Sequence, residues 1–313
     1  MWIIIAVIAA AAALALLASY AVCRTAFRVT RRKRGGVHDT LEGEQYDVFK
    51  EQTRELIDAA LDIPFEVVTT VSRDGTNLYA RYYHTADGAP VNIMFHGYMS
   101  VALRDMAGGL AYAIECGQNV LLVDQRAHGR SGGKYLTMGV KERYDCLDWV
   151  DYAESRFGIG TKILLSGISM GASTVLMGAC LEEEGRISGV VADCGYSSAA
   201  GILRKVMGDM HLPEAPVYFL MRLGARLFCG FDPDDGEVAR QLGECSVPVL
   251  FIHGEDDRFV PCRMGEENYR SCASDKELFI VPGAGHGLAF LVDRDGYCAA
   301  VRGFYERTGC LNA

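Results

Sequence analysis

Hydrophobic and polar positions divide the chain into an apolar leader and an alternating body. Trp2 to Val22 is 21 consecutive residues without a charge. At about 1.5 Å of rise per residue this run matches the roughly 30 Å hydrocarbon core of a bilayer. Residues 36 to 62 begin polar and then carry Tyr46, Phe49, Leu56, Ile57, Ala60 and Leu61, which predicts a surface helix between leader and body. From Ile63 onward, apolar runs of strand length recur: Phe65 to Val71, Leu78 to Tyr83, Val91 to Phe95, Val120 to Val123, Ile163 to Leu165, Ile187 to Ala192, Val247 to Ile252 and Leu278 to Val281. The first two flank the turn signal Asp74-Gly75 and predict an antiparallel hairpin. Helical stretches separate the later ones, among them Met138 to Phe157 and Met170 to Glu184, so βαβ units and a parallel sheet are expected. The fold class is α/β, an eight-stranded, mostly parallel sheet flanked by helices.

One interval breaks this rhythm. Residues 195 to 244 hold the apolar stretches Ile202 to Met210 and Val217 to Phe228, too many apolar positions for a plain connector. A small helical lid accounts for them, with a packed crossover helix and long turn as the competing arrangement. The expected organisation is an anchor at 1–23, a basic juxtamembrane segment and linker helix at 24–62, and one folded domain at 63–313 with its lid at 195–244.

Charge refines the leader. Arg24, Arg28, Arg31, Arg32, Lys33 and Arg34 follow the apolar run, and nothing cationic precedes it except the amino terminus. A cleaved signal carries its charge ahead of a shorter run, so a retained transmembrane helix is expected. The positive-inside rule keeps the basic flank, and the domain behind it, in the cytoplasm. Taking those six cations from the formal net charge of −9 leaves −15 on residues 35 to 313. An acidic body argues against a nucleic-acid partner, and only the juxtamembrane run suits anionic lipid headgroups. The lipid bilayer is thus an expected partner, through the N-terminal helix. The eleven cysteines are scattered and odd in number, as buried thiols in a reducing compartment would be. No Cys-x-x-Cys pair or zinc spacing occurs, so neither metal nor cofactor is expected.

Candidate chemistry centres on Gly167-Ile168-Ser169-Met170-Gly171. Chance supplies such a string in roughly one of ten chains this long. Here it closes a strand and opens a helix, the setting of a nucleophile elbow that presents Ser169 above the sheet. Acyl transfer then needs two oxyanion donors. One is the amide of Met170; the other is expected at Tyr98, where Phe95-His96-Gly97-Tyr98 closes the third run. Of seven histidines, His286 in Gly283-Ala284-Gly285-His286-Gly287 lies just past the last strand, where a loop reaches over the sheet's edge and can supply the base. His96 suits a structural hydrogen bond instead. For the orienting acid, Glu255, Asp256 and Asp257 follow the seventh strand and Asp193 ends the sixth; spacing leaves all four open.

Together these motifs resemble the α/β-hydrolase superfamily, and within it the serine aminopeptidase-like and lysophospholipase-like branch of single-domain bacterial hydrolases. The resemblance covers about residues 64 to 309 and extends to Asp124-Gln125-Arg126-Ala127-His128-Gly129-Arg130-Ser131-Gly132, whose expected role is to hold the floor of the site. Ala127 stands where many relatives have Gly. The resemblance implies that Asp257 is the acid, with Asp256 the runner-up. It also implies a serine hydrolase acting on a carboxylic ester or related acyl bond of a small-molecule substrate. Amide or peptide cleavage, acyl transfer to another acceptor, and a non-catalytic membrane module are its rivals.

Overall fold

Each of the eight apolar runs is a strand of one sheet. The computed structural model describes residues 1–30, 32, 35–39 and 42–311. Its strands are β1 (Glu66–Val71), β2 (Asn77–Tyr83), β3 (Val91–Phe95), β4 (Asn119–Asp124), β5 (Ile163–Ile168), β6 (Ile187–Asp193), β7 (Val249–Gly254) and β8 (Lys276–Val281). They lie in the order β1-β2-β4-β3-β5-β6-β7-β8. β1 and β2 form the expected antiparallel hairpin, β2 pairs antiparallel with β4, and every later pairing is parallel. β3 is buried at all five positions, which is why its run reads as continuously apolar rather than alternating.

Helices cover both faces. The longer ones are α1 (Trp2–Phe27), α2 (Lys50–Leu61), α3 (Ala102–Glu115), α4 (Glu142–Phe157), α5 (Met170–Ala179), α6 (Ala199–Asp209), α7 (Glu214–Gly224), α8 (Cys262–Ser271) and α9 (Arg294–Arg307). Alternate strand residues sort to the two faces, as the period of two requires. Ile93 and Phe95 join Trp149 of α4 and Leu176 of α5 in the main core. Met94 joins Leu103 and Leu110 of α3, and Leu164 and Val191 join Val301 and Phe304 of α9.

Two helices are shorter than their apolar patterns predict, for local reasons. α4 starts at Glu142 rather than Met138 because the Glu142 carboxylate turns back to accept from Thr137, at 2.7 Å from its N–H and 2.5 Å from its hydroxyl. α5 stops at Ala179 rather than Glu184. There the Glu182 carboxylate accepts from the Glu184 amide at 2.9 Å and from the Arg186 guanidinium at 2.8 Å, bonds that hold the chain in a turn.

The interval 195–244 contains α6, α7, a π-helical turn (Ala225–Cys229), a 3-10 turn (Pro233–Asp235) and a short helix (Val238–Leu242). α1 is long and apolar enough to cross a membrane, and no other helix among the described residues is. Its last turns are also part of the folded body. Ser19, Cys23 and Phe27, spaced four apart on one face, are buried against α7 and the π-helical turn. The contact is close at Gly224, where a side chain would collide with the Ser19 carbonyl. The Phe27 ring stands edge-on to Phe231 at 5.0 Å, and the sulfurs of Cys23 and Cys229 are bonded across the seam. The nine other cysteines are free thiols, as expected of most of them, and the packing of α1 brings this pair together. Of the basic run, Arg31, Lys33 and Arg34 lie outside the described residues.

Candidate active site

β5 ends in the elbow. Ser169 has φ 56° and ψ −119°, a conformation few non-glycine residues adopt and one that recurs at functional sites. It is held there by its own amide, which donates to the Asp193 carbonyl at 2.8 Å, and by the start of α5. The flanking glycines make the turn possible: a side chain on Gly167 would strike the backbone of Gly171, and one on Gly171 would strike the carbonyls of Phe95 and His96. The hydroxyl thus stands at a helix N-terminus, where the backbone dipole favours negative charge.

His286, on the loop after β8, has its Nε2 2.9 Å from Ser169 Oγ and its Nδ1 2.7 Å from Asp257 Oδ2. A carboxylate only accepts, so Nδ1 carries the proton and Nε2 is free to accept from the serine hydroxyl. Asp257 Oδ1 accepts from the amides of Phe259 and Val260 at 2.9 and 2.8 Å. On its other side, His253 Nε2 lies 3.4 Å from Asp257 Oδ2 and donates to the Val260 carbonyl at 2.9 Å. Burial alone would push the Asp257 carboxyl up; hydrogen bonds and charge from His253 and His286 outweigh it and hold the group at about 2. Glu255 and Asp256 are exposed and Asp257 is buried. Asp193 is buried as well, with Oδ1 unpartnered. Burial raises it to about 6, against the opposing charges of His253 and His286.

The turn after β3 approaches the same point. A Cβ on Gly97 would lie 3.4 Å from Ser169 Cβ, and the Gly97 amide donates to Asp105 Oδ2 at 2.8 Å. The amides of Tyr98 and Met170 have no hydrogen-bond partner among the described residues. The Tyr98 hydroxyl reaches away and donates to the Ala26 carbonyl at the end of α1. His96 is fully buried, with Nδ1 2.8 Å from the Gly97 carbonyl and Nε2 accepting from the Gln125 amide at 3.2 Å. Below it, Arg126 of the loop after β4 forks onto Asp145 and also meets Asp74 at 2.9 Å.

Ser169 opens on a cavity of about 900 Å³, near the upper end of the roughly 300–1,000 Å³ typical of ligand pockets. Its inner part runs between the sheet and helices α3 and α9, past Met94, Met106, Val191 and Val301; Arg104, Lys205 and Arg258 line its outer part. The linker supplies a wall that the sequence pattern does not announce: Gln45 and Tyr46 line the cavity, and the Tyr46 hydroxyl donates to the His286 carbonyl at 3.2 Å. Donor atoms of Cys194, Asp257 and His286 lie within 4.8 Å of one another. A metal there would have to displace a hydrogen bond of the imidazole and deprotonate a thiol that burial holds well above its usual range.

Sequence and fold match a known family. The chain belongs to the alpha/beta hydrolase family, whose profile matches residues 93–301. Among curated proteins it resembles protein YqkD of Bacillus subtilis, 27% identical over 227 residues that span 72% of this chain and 74% of that one. It also resembles a non-heme haloperoxidase of Rhodococcus erythropolis, 24% identical over 74% of this chain and 97% of the other. Among solved structures, the Pyrococcus furiosus esterase Pf2001 superposes with a TM-score of 0.66 at 26% identity, over 80% of this chain and 93% of the esterase.

Proposed function

We propose that the protein is a serine hydrolase that cleaves carboxylic esters with an apolar acyl group. Ser169 is the nucleophile, His286 the base, Asp257 the orienting acid, and the amides of Tyr98 and Met170 the oxyanion donors. The observation that carries this proposal is the unbroken line from Ser169 Oγ through both nitrogens of His286 to Asp257, opening on a cavity with an apolar interior. Ser169 Oγ bonds to the carbonyl carbon as its proton passes to His286 Nε2. The two free amides stabilise the oxyanion, about 3 kcal/mol each. The carbon–oxygen bond to the leaving alcohol breaks as His286 returns the proton to it. Water, deprotonated by the same ring, then attacks the acyl-serine and releases the acid.

Likeness to an esterase at 26% identity supports an ester over an amide. The test is a full-length comparison with Ser169→Ala on acyl esters of graded chain length, beside aminoacyl amides and with competing alcohol acceptors. Turnover and fluorophosphonate labelling should vanish in the variant. Persistent ester turnover would remove Ser169 from its role, an amide preference would make the protein an amidase, and capture by the alcohol would make it an acyltransferase.

We further propose that α1 is a retained anchor, because removing it would strip Cys23 and Phe27 from the core. On this reading residues 195–244 form a lid on the body at 63–313. The cations after the apolar run favour a cytoplasmic body, while a Cys23–Cys229 bond favours an oxidising compartment. A topology reporter fused after Ala313 separates the two.

A further inference from the structure

α7 has two apolar sides, and the protein's interior uses one. Tyr218, Met221 and Gly224 are buried. On the outside Phe219 and Leu227 are exposed by 63% and 56%, and Leu212 and Phe228 by 39% each. Ala215 and Pro216 are exposed and Leu223 is half-buried. Positions 215, 216, 219 and 223 fall on one face of α7, with 227 a further turn on and Leu212 just before its start, so they form one stripe. The charges beside it are paired: Arg222 with Asp232 at 2.8 Å, Arg226 with Asp232, and Glu214 with Arg204 at 2.7 Å.

α1 fixes the depth of that stripe. Contacts across the seam rise together in number: Ser19 with Gly224, Tyr20 with Phe228, Cys23 with Cys229, and Phe27 with Phe231. The two helices therefore run parallel. α7 runs back along α1 from the level of Ser19, which lies three residues inside the C-terminal end of the uncharged run. Ala15 and Ala18 are half-buried there while most of their neighbours are exposed. Ala15, Ala18, Ser19 and Tyr20 lie in the C-terminal part of the uncharged run from Trp2 to Val22. A helix alongside that run shares its solvent: where α1 is in lipid, the stripe is too.

We propose that α7 and the turn after it are seated in the headgroup–acyl boundary of the membrane that α1 enters, and that the substrate of Ser169 is an acyl lipid drawn from that leaflet. The lid is continuous from lipid to site, since α6 lines the cavity through Lys205 and Asp209. The substrate half rests on the proposed role of Ser169; the seating half does not.

The two halves are tested separately in the full-length protein, reconstituted into vesicles of phosphatidylcholine and phosphatidylglycerol. Phe219→Trp places a fluorophore on the stripe, against a background set by Trp2 and Trp149 in the parent. Brominated acyl chains should quench the variant beyond the parent, and acrylamide should reach it poorly. No quenching beyond the parent, with an indole open to acrylamide, overturns the seating. So does a concentration-dependent dimer in the parent that Phe219→Glu abolishes without any bromolipid effect, since the stripe would then belong to a second copy. Phe219→Glu should also lower turnover of vesicle phospholipid at least about tenfold, because a carboxylate at the interface costs more than one decade of binding. Hydrolysis of a soluble short-chain ester should stay within about twofold of the parent's. Equal losses on the two substrates, or none on either, overturn the substrate half. If the parent cleaves neither the soluble ester nor vesicle phospholipid, the role of Ser169 fails and with it the substrate half, and the quenching still decides the seating.

Discussion

The Tyr98 hydroxyl donates a hydrogen bond to the backbone carbonyl of Ala26, tying the turn beside Ser169 to the last turn of the apolar helix. Burial pushes this phenol up to about 12, so it remains a donor across the working pH range. Asp105 holds the other side of the same turn through the Gly97 amide. The amide proposed to meet the oxyanion is thus fixed from two directions, one of them the apolar helix α1.

Tyr98→Phe keeps that amide and removes the tie. One lost hydrogen bond is worth about 1 kcal/mol, so kcat should fall about fivefold with KM little changed, and Tm by about 2 °C. Steady-state kinetics and thermal unfolding measure both. An unchanged kcat would show that Asp105 positions the turn unaided.

Two carboxylates give pH dependences of opposite sign. Asp257 is held at about 2, below an unfolded value near 4. Its stabilising contribution is therefore full above about pH 4 and is lost as pH falls toward 2. Asp193 is raised to about 6, so the folded state keeps a proton that the unfolded chain releases. Stability should fall as pH rises from about 4 to 6 and level off above, by on the order of 3 kcal/mol. Asp193→Asn should remove that decline, and Asp257→Asn the acid limb, in denaturant titrations across pH 2 to 8. Asp257→Asn should also cost about 10⁴ in kcat, as expected of an imidazole left in the wrong tautomer.

Gly171→Ala should lose both stability and labelling. Its Cβ has nowhere to go but the backbone of Phe95 and His96, and that backbone belongs to the central strand and the oxyanion turn. The expected loss is at least about 3 kcal/mol, read as a lower denaturation midpoint, together with failure of fluorophosphonate labelling at any temperature. A folded, labelled variant would contradict the tightness of the elbow.

Arg126→Ala separates floor from chemistry. It leaves Asp145 buried without its cation, and burial pushes that carboxyl up to about 7 even with Arg126 present. Breaking a buried pair costs about 3–5 kcal/mol, so Tm should drop sharply while active-site labelling at low temperature persists. Loss of labelling in protein that is still folded would give the loop a direct part in the reaction.

Most of the sheet is legible in the sequence because its strands are buried on both faces and bounded by turns, so each appears as a short apolar run. Helix limits are less so: Glu142 and Glu182 fold back on the chain through side-chain bonds that no periodicity records. Within the site, spacing leaves four acids open, and what distinguishes Asp257 is that two local amides and two histidines converge on it. Tyr46 has no signal at all. It meets His286 across 240 residues of sequence, a contact made only once the linker has folded over the body.

The burial of Phe27 bears on how the cell can deploy this activity. Many anchored proteins act as a head on a leash, and one cut in the leash sets the head free. On the anchoring proposed above, the leash is also packed into the body: removing α1 through Phe27 would uncover Phe231, leave the Leu136 amide without its partner and sever the Tyr98 tie. If α1 is the anchor proposed above, a shed form of the protein would be a damaged one, and its output would stay on the two-dimensional surface that α1 enters.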